Sequence, residues 1–236
     1  MSQWTGFSGN ALKIIAAVSM LLDHIGVVLF PRVVMLRVLG RLALPIFAFM
    51  IAEGCRYTKK RLRYFLMIFG LGALCQIIYY VYDRDLYMCI LVTFSLSILV
   101  IYPLQNLKGA QTAAGRAIWA IVTALAVVGV WLLNRWLVID YGFWGCMMPV
   151  LAALFQGRGK AAAGAWDRKG VHVLMLGIGV LLVSMDRGGV QIFSLAALPL
   201  LMAYSGQRGK WKMKYFFYVF YPVHLAVLQG VAMFFG

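Results

Sequence analysis

The sequence predicts an all-α fold, a polytopic integral membrane bundle of about nine transmembrane helices (range about 8–10) with a cytoplasmic N-terminus. Three observations carry that expectation. Hydrophobic residues make up 64% of the 236 residues and charged residues 12%, whereas a soluble domain is about 45–50% apolar and about 25% charged. Apolar runs long enough to span a bilayer follow one another along the chain, separated by short polar connections. Lysines and arginines crowd into every second connection, as they do in cytoplasmic loops. Lipid solvates such an apolar exterior where water does not. The chain is expected to be one domain, 1–236, because no polar stretch is long enough for a second.

The first helix is expected near 11–30. It follows Ser8, Gly9 and Asn10, where Ser8 supplies a capping side chain. Because it carries Lys13, Asp23 and His24 and no small-residue cleavage site follows, it reads as a permanent helix and not a signal peptide. The other spans fall near 34–53, 62–82, 87–104, 116–134, 136–155, 171–185, 190–204 and 214–235. The seventh and eighth are short and also read as one re-entrant pair. Between the second and third lie Arg56, Lys59, Lys60, Arg61 and Arg63. The 4–5 connection holds Lys108 and Arg116, the 6–7 connection Arg158, Lys160, Arg168 and Lys169, and the 8–9 connection Arg208, Lys210, Lys212 and Lys214. The alternate connections hold only Arg32, Arg84, Arg135 and Arg187, with acids at Asp83, Asp85 and Asp186. The basic loops share one side if the N-terminus is cytoplasmic, and the C-terminus is then outside.

The net charge of +15 does not point to nucleic acid. The charges sit in loops between apolar runs, and no zinc finger or other nucleic-acid motif accompanies them. Cys55, Cys75, Cys89 and Cys146 show no pairing rhythm and no C-x-x-C spacing, so they read as small apolar filler in preference to disulfides, metal ligands or nucleophiles. No internal repeat of the kind common in transporters is visible.

Ionisable residues within apolar spans are costly and mark function by default. Lys13 and His24 are 11 positions apart, about 20° from whole turns and about 16 Å along the axis. Both therefore lie on one stripe of the first helix. Asp23 is rotated about 100° from His24 and must pair elsewhere. Arg41, about 10 Å below the outer surface by helical rise, is the leading partner. Arg37 lies one turn nearer the outside, and Asp140 begins the sixth span at similar depth. A polar cluster of Asp23, His24, Arg37, Arg41 and Asp140 opening outward is expected. Glu53 stands at the cytoplasmic end of the second span beside Arg56. His224 follows Pro222, whose missing N–H kinks the last helix.

Each residue also has a structural reading. Lys13 snorkels to the interface, Asp23 and Arg41 form an ion pair, and Arg37 anchors at the outer interface. Asp140 caps a helix, Glu53 pairs with Arg56, and the histidines are hydrogen-bonded core residues. The chemical reading makes His24 a general base and puts Lys13, with free N–H groups at the start of its helix, at a phosphate. The distance between them matches the reach of a pantetheine arm. That suggests a cytoplasmic acyl-CoA, phosphates at the inner face and thioester threaded towards His24, although coenzyme A is not the only long phosphorylated molecule of that reach.

The segments SGNALKIIAAVSMLLDHIG (8–26), LRVLGRLALPIFAFMIAEGCRYT (36–58) and KYFFYVFYPVHL (214–225), with DYG at 140–142, resemble the TraX family of bacterial membrane proteins. The match is dense at both ends and thinner between. The founding member is associated with N-terminal acetylation of conjugative pilin. The Lys13-x10-His24 spacing is also similar to the basic-x10-His motif of the broader transmembrane acyltransferases, where the histidine is catalytic and the basic residue supports it. The resemblance implies a multi-pass protein of the bacterial inner membrane that moves an acetyl group from acetyl-CoA. The acceptor is an amine or hydroxyl on a small molecule, a glycan or a peptide N-terminus. His24, Asp23, Arg41 and His224 are the expected catalytic residues. Lys13, Asn10, Glu53, Arg56, Lys59 and Lys60 are expected to bind the acyl-CoA, and no metal is expected. A proton-coupled transporter and a non-enzymatic assembly partner are the other classes that fit intramembrane Asp, His and Arg.

Overall fold

A computed structural model describes residues 6–84, 87–157, 164–211 and 213–235. Asp85, Arg158, Lys160 and Lys212 of the predicted connections lie outside the described residues. The fold is helical. Its elements are α1 (Gly9–Val28), α2 (Val34–Gly40), α3 (Ala43–Tyr57), α4 (Arg61–Asp83), α5 (Ile90–Gly109), α6 (Ala113–Trp136), α7 (Gly142–Ala153), α8 (Lys169–Arg187), a 3-10 segment (Gly189–Ala196), α9 (Ala197–Met202) and α10 (Lys214–Phe235). Among the described residues seven spans are long and apolar enough to cross a bilayer, with α2 and α3 counted as one. Gly142–Ala153 and Gly189–Met202 are apolar but shorter. The protein is a multi-pass membrane bundle.

The expected sixth span shortens because residues 137–141 leave the helix. The Met88 N–H donates to Val138 O and the Asp140 N–H to Met88 O, at 2.8 and 2.9 Å, so the chain here pairs sideways. Tyr141 and Gly142 then turn through φ of 58° and 60°, a left-handed conformation that glycine tolerates and most residues avoid. The seventh span is full length at 19 residues, so it is not half of a re-entrant pair. The expected second span is broken between Gly40 and Ala43. Pro45 has no N–H to offer Arg41 O four residues earlier. Ser194 Oγ donates to that carbonyl instead, at 2.9 Å.

Helices α3, α5, α7 and α8 form the centre, with Ile46, Phe49, Ile98, Met148 and Leu176 fully buried. Helix α6 packs on α5 and turns Ile118, Ile121 and Leu125 outward, as a lipid-facing helix does. Helix α1 packs on α10. Lys13 lies over Phe217 and His24 against His224, so the two helices run in the same direction. One end of the bundle collects basic residues. Lys108 Nζ donates to the carbonyls of Ala153, Leu154 and Gln156, Arg56 pairs with Asp167, and Lys169 Nζ donates to Tyr204 O. The other end carries the Met88–Ile139 bridge and the cluster around Asp23.

Candidate active site

Asp23 and His24 diverge from consecutive positions of α1, as the 100° rotation requires. The Asp23 carboxylate binds both arginines of the broken helix. Arg37 Nε donates to Oδ1 at 2.9 Å, and Arg41 Nη2 donates to the same oxygen. Arg41 is saturated. Its Nε donates to Arg37 O at 3.2 Å, and Nη1 donates to Gln191 Oε1 at 2.8 Å and Tyr141 Oη at 3.3 Å. The guanidinium is buried and committed to protein partners, so of the roles expected for Arg41 the structure displays the holding of Asp23. Asp140 sits beside this group without bonding Arg41 directly. Tyr87 donates its hydroxyl proton to Oδ1, and burial pushes the Asp140 carboxyl up to about 6 against the opposing pull of Tyr87 and Arg187.

His24 faces α10. Its Nδ1 lies 2.7 Å from His224 Nε2, and His224 Nδ1 lies 2.9 Å from Phe220 O. A carbonyl only accepts. His224 therefore carries its proton on Nδ1, its Nε2 accepts, and neutral His24 donates from Nδ1. That chain of hydrogen bonds leaves a lone pair on His24 Nε2, the form a general base or nucleophile needs. The rings of Phe220 and His224 stack with centroids 4.9 Å apart, and Tyr221 meets His224 edge-on.

A cavity of about 750 Å³ opens at the basic end between α1, α3, α4, α5 and α10. Its mouth carries Lys13, Lys59, Lys60, Arg63 and Arg208. Its body is apolar, and Met20, Phe220 and Tyr221 line it towards the histidines. The cavity thus reaches the two aromatic rings packed on His224. Asn10, Lys13, Glu53, Lys59 and Lys60 of the expected acyl-CoA residues line it; Arg56 does not. Arg56 forms a bidentate pair with Asp167 at 3.0 and 3.1 Å, and His172 Nε2 is 3.0 Å from the same buried carboxylate. Glu53 accepts from Gln156 Nε2 at 3.2 Å and not from Arg56.

The free N–H groups expected at the start of α1 are taken. Gly9 and Asn10 donate to the carbonyls of Gln207 and Arg208, Leu12 donates to Ser8 O, and Ala11 donates to Ser8 Oγ. The Asn10 side chain donates to Trp211 O at 2.6 Å. At the cavity mouth the groups that offer positive charge are therefore side chains, not the N–H groups of α1. Sequence reasoning missed Tyr141, Gln191 and Ser194, which seat Arg41, and Phe220 and Tyr221, which wall the histidines from the cavity. Asp167 and His172 were also missed, although a third histidine at the start of an apolar run was a visible signal.

The family model described as TraX protein matches residues 8–232. The chain is similar to the probable fimbrial assembly protein FimC, serogroup H1, of Dichelobacter nodosus, with 26% identity over 254 residues and 99% of each chain covered. It is also similar to an uncharacterized protein of Rickettsia prowazekii (strain Madrid E), 36% identical over 61 residues, which cover 26% of this chain and 23% of that one. No solved structure matches significantly. The family match runs from the Ser8 cap of α1 into the last turns of α10 and so takes in the histidine pair, the Asp23 cluster and the cavity: the chain belongs to the TraX family.

Proposed function

We propose that this protein is a membrane-embedded acyltransferase that moves an acetyl group from cytoplasmic acetyl-CoA to an amine or hydroxyl acceptor, with His24 as the base. The observation that carries the proposal is the His24–His224–Phe220 chain of hydrogen bonds, which leaves a lone pair on His24 Nε2 and sets the histidine pair behind Phe220 and Tyr221, the rings that line one part of a cavity whose other lining is cationic. Acetyl-CoA enters as a substrate. Its phosphates meet Lys13, Lys59, Lys60, Arg63 and Arg208, and its pantetheine arm follows the apolar body towards Phe220 and Tyr221.

His24 Nε2 takes the proton of the acceptor N–H or O–H as that atom attacks the thioester carbonyl. The imidazolium so formed keeps its Nδ1–H on His224 Nε2, which lowers the cost of the charge. The tetrahedral intermediate collapses with cleavage of the C–S bond, and the CoA thiolate takes the proton back from Nε2. Asp23 and Arg41 act through position: their pairing fixes α2 and α3 against the stretch of α1 that presents His24. The similarity to the Dichelobacter fimbrial assembly protein adds fimbrial subunits to the candidate acceptors, through an N-terminal amine. On this reading the basic end faces the cytoplasm and the membrane is the inner one.

The test is acetyl-CoA binding and turnover by the purified protein in detergent. Wild type binds and slowly consumes acetyl-CoA, His24→Ala binds without turnover, and Lys13→Ala binds less well. Turnover that survives in folded His24→Ala ends this mechanism. The same relative's name favours a second reading, a fimbrial assembly partner without chemistry. On that reading assembly persists in cells carrying His24→Ala.

A further inference from the structure

Among the described residues Glu53 is the only acid that lines the cavity. A carboxylate is out of place there if the lining serves phosphates alone, because it repels them. No cation offsets it. Arg56, on the same helix, is committed to Asp167, and Glu53 Oε1 takes its hydrogen bond from the neutral amide of Gln156 at 3.2 Å. That amide is fixed in place. Gln156 is buried, its N–H donates to Ala153 O at 3.1 Å, and its carbonyl accepts from Lys108 Nζ at 2.7 Å. Oε1 is therefore held, while Oε2 has no partner among the described residues. An ionisable group in an apolar span without an ion pair marks a ligand site by default. Tyr57, one helical turn beyond Glu53 on the same face, lines the cavity too and is half exposed. The Arg56 guanidinium lies over its ring, 5.5 Å from the centroid, and no ring of the described residues stacks on it.

We propose that Glu53 and Tyr57 form a nucleobase subsite that reads the adenine of the acyl donor by its amino group. The inference rests on acetyl-CoA as that donor. The base stacks on Tyr57, as bases do on exposed aromatic rings, and its N6–H donates to Glu53 Oε2. One free oxygen suits adenine, which offers a single amino group beside an acceptor, N1. Guanine offers N1–H and N2–H side by side and fits a carboxylate with both oxygens free, whereas here Gln156 holds one. Hypoxanthine carries a carbonyl oxygen where adenine carries its amino group, so it sets an acceptor against the acceptor Oε2. Lys59 and Lys60 follow Tyr57 closely in the chain and line the same cavity, so the charges for the phosphates stand beside the base. The arm leaves the base at α3 and follows α1 and α10, where Lys13, Met20, Phe217 and Phe220 line the cavity. Positive charge draws in phosphorylated ligands of any kind; the carboxylate adds a choice of base that charge alone does not make.

The experiment titrates the full-length protein in detergent with acetyl-CoA and with its hypoxanthine analogue, in which only the amino group has become a carbonyl oxygen. Wild type binds acetyl-CoA about tenfold or more tighter, the scale of one lost hydrogen bond whose acceptor is left opposed. In Glu53→Ala the two ligands bind alike. Tyr57→Leu weakens both by about fivefold or more, the scale of one lost base–aromatic stack, and keeps their ratio. Equal binding of the two ligands by wild type overturns the proposal without recourse to a variant, and it leaves the acyltransferase reading standing because acetyl-CoA has bound. A preference that survives in Glu53→Ala overturns it as well, since the base is then read elsewhere, and so does undiminished binding in Tyr57→Leu. Failure of the folded wild-type protein to bind acetyl-CoA at all overturns both the subsite and the donor.

Discussion

At the scale of single residues, the two histidines are not equivalent. Phe220 O fixes the proton of His224, and His224 in turn fixes that of His24. On the proposed chemistry His224→Ala leaves His24 in place with its Nδ1–H unheld. Turnover falls by about 100-fold, the scale of a mispositioned general base, while KM for acetyl-CoA stays near wild type. Steady-state kinetics on the two variants checks this, and a rise in KM with kcat preserved contradicts it. Asp23 behaves differently. Asp23→Asn leaves Arg37 and Arg41 facing each other without their shared carboxylate. Removing one partner of a buried ion pair costs about 3 kcal/mol, read as a lowered midpoint of unfolding in detergent. The pairing of Asp23 with Arg41 was legible in the sequence, because rotation on one helix and rise on another bring opposite charges to one depth, and charge in lipid demands a partner. Tyr141, Gln191 and Ser194 were not legible. Neutral polar side chains carry no comparable penalty, so nothing in their spacing announces which carbonyl or guanidinium they serve.

At the scale of elements, α1 and the broken second span meet through a glycine. A Cβ placed on Gly40 would sit 2.3 Å from Asp23 Cβ and 2.8 Å from Asp23 Cα, which is backbone and cannot swing away. Gly40→Ala therefore pushes α2 off α1 and loosens the Asp23–Arg41 pair, at about 1–3 kcal/mol for an overpacked contact. Gly129→Ala on α6 meets no atom within 4 Å and serves as the control, with unchanged or slightly raised stability. Thermal unfolding of both variants in detergent decides it; equal behaviour of the two shows that the α1–α2 contact yields. Apolar length alone revealed the succession of spans. It did not reveal that residues 137–141 pair sideways with Met88, a contact between segments about 50 positions apart, or that the second span breaks. Pro45 four residues after Arg41 was the available signal for the break.

At the scale of the whole molecule, the alternation of basic loops anticipated a single cationic end, and the fold adds what those cations surround. Lys13 from α1, Lys59 and Lys60 from the connection before α4, Arg63 from α4 and Arg208 from the connection before α10 converge on one mouth although they span most of the sequence. Such convergence concentrates positive potential where a phosphorylated ligand enters, while the apolar body beyond discriminates little between ligands that share an arm. The prediction separates the two parts. Replacing Lys59, Lys60 and Arg63 together with alanine raises Kd for acetyl-CoA at least about tenfold, since each lost charge-assisted contact is worth about 1 kcal/mol or more at low salt. It also flattens the dependence of Kd on salt concentration. S-acetylpantetheine, which carries the same thioester and arm without phosphates, binds wild type and variant alike. Isothermal titration at two salt concentrations measures all of these. Equal weakening of both ligands would mean that the substitutions reshape the cavity instead of removing a phosphate site. No weakening of acetyl-CoA would mean that its phosphates do not meet this mouth, and the orientation proposed for the donor would then have to be reversed.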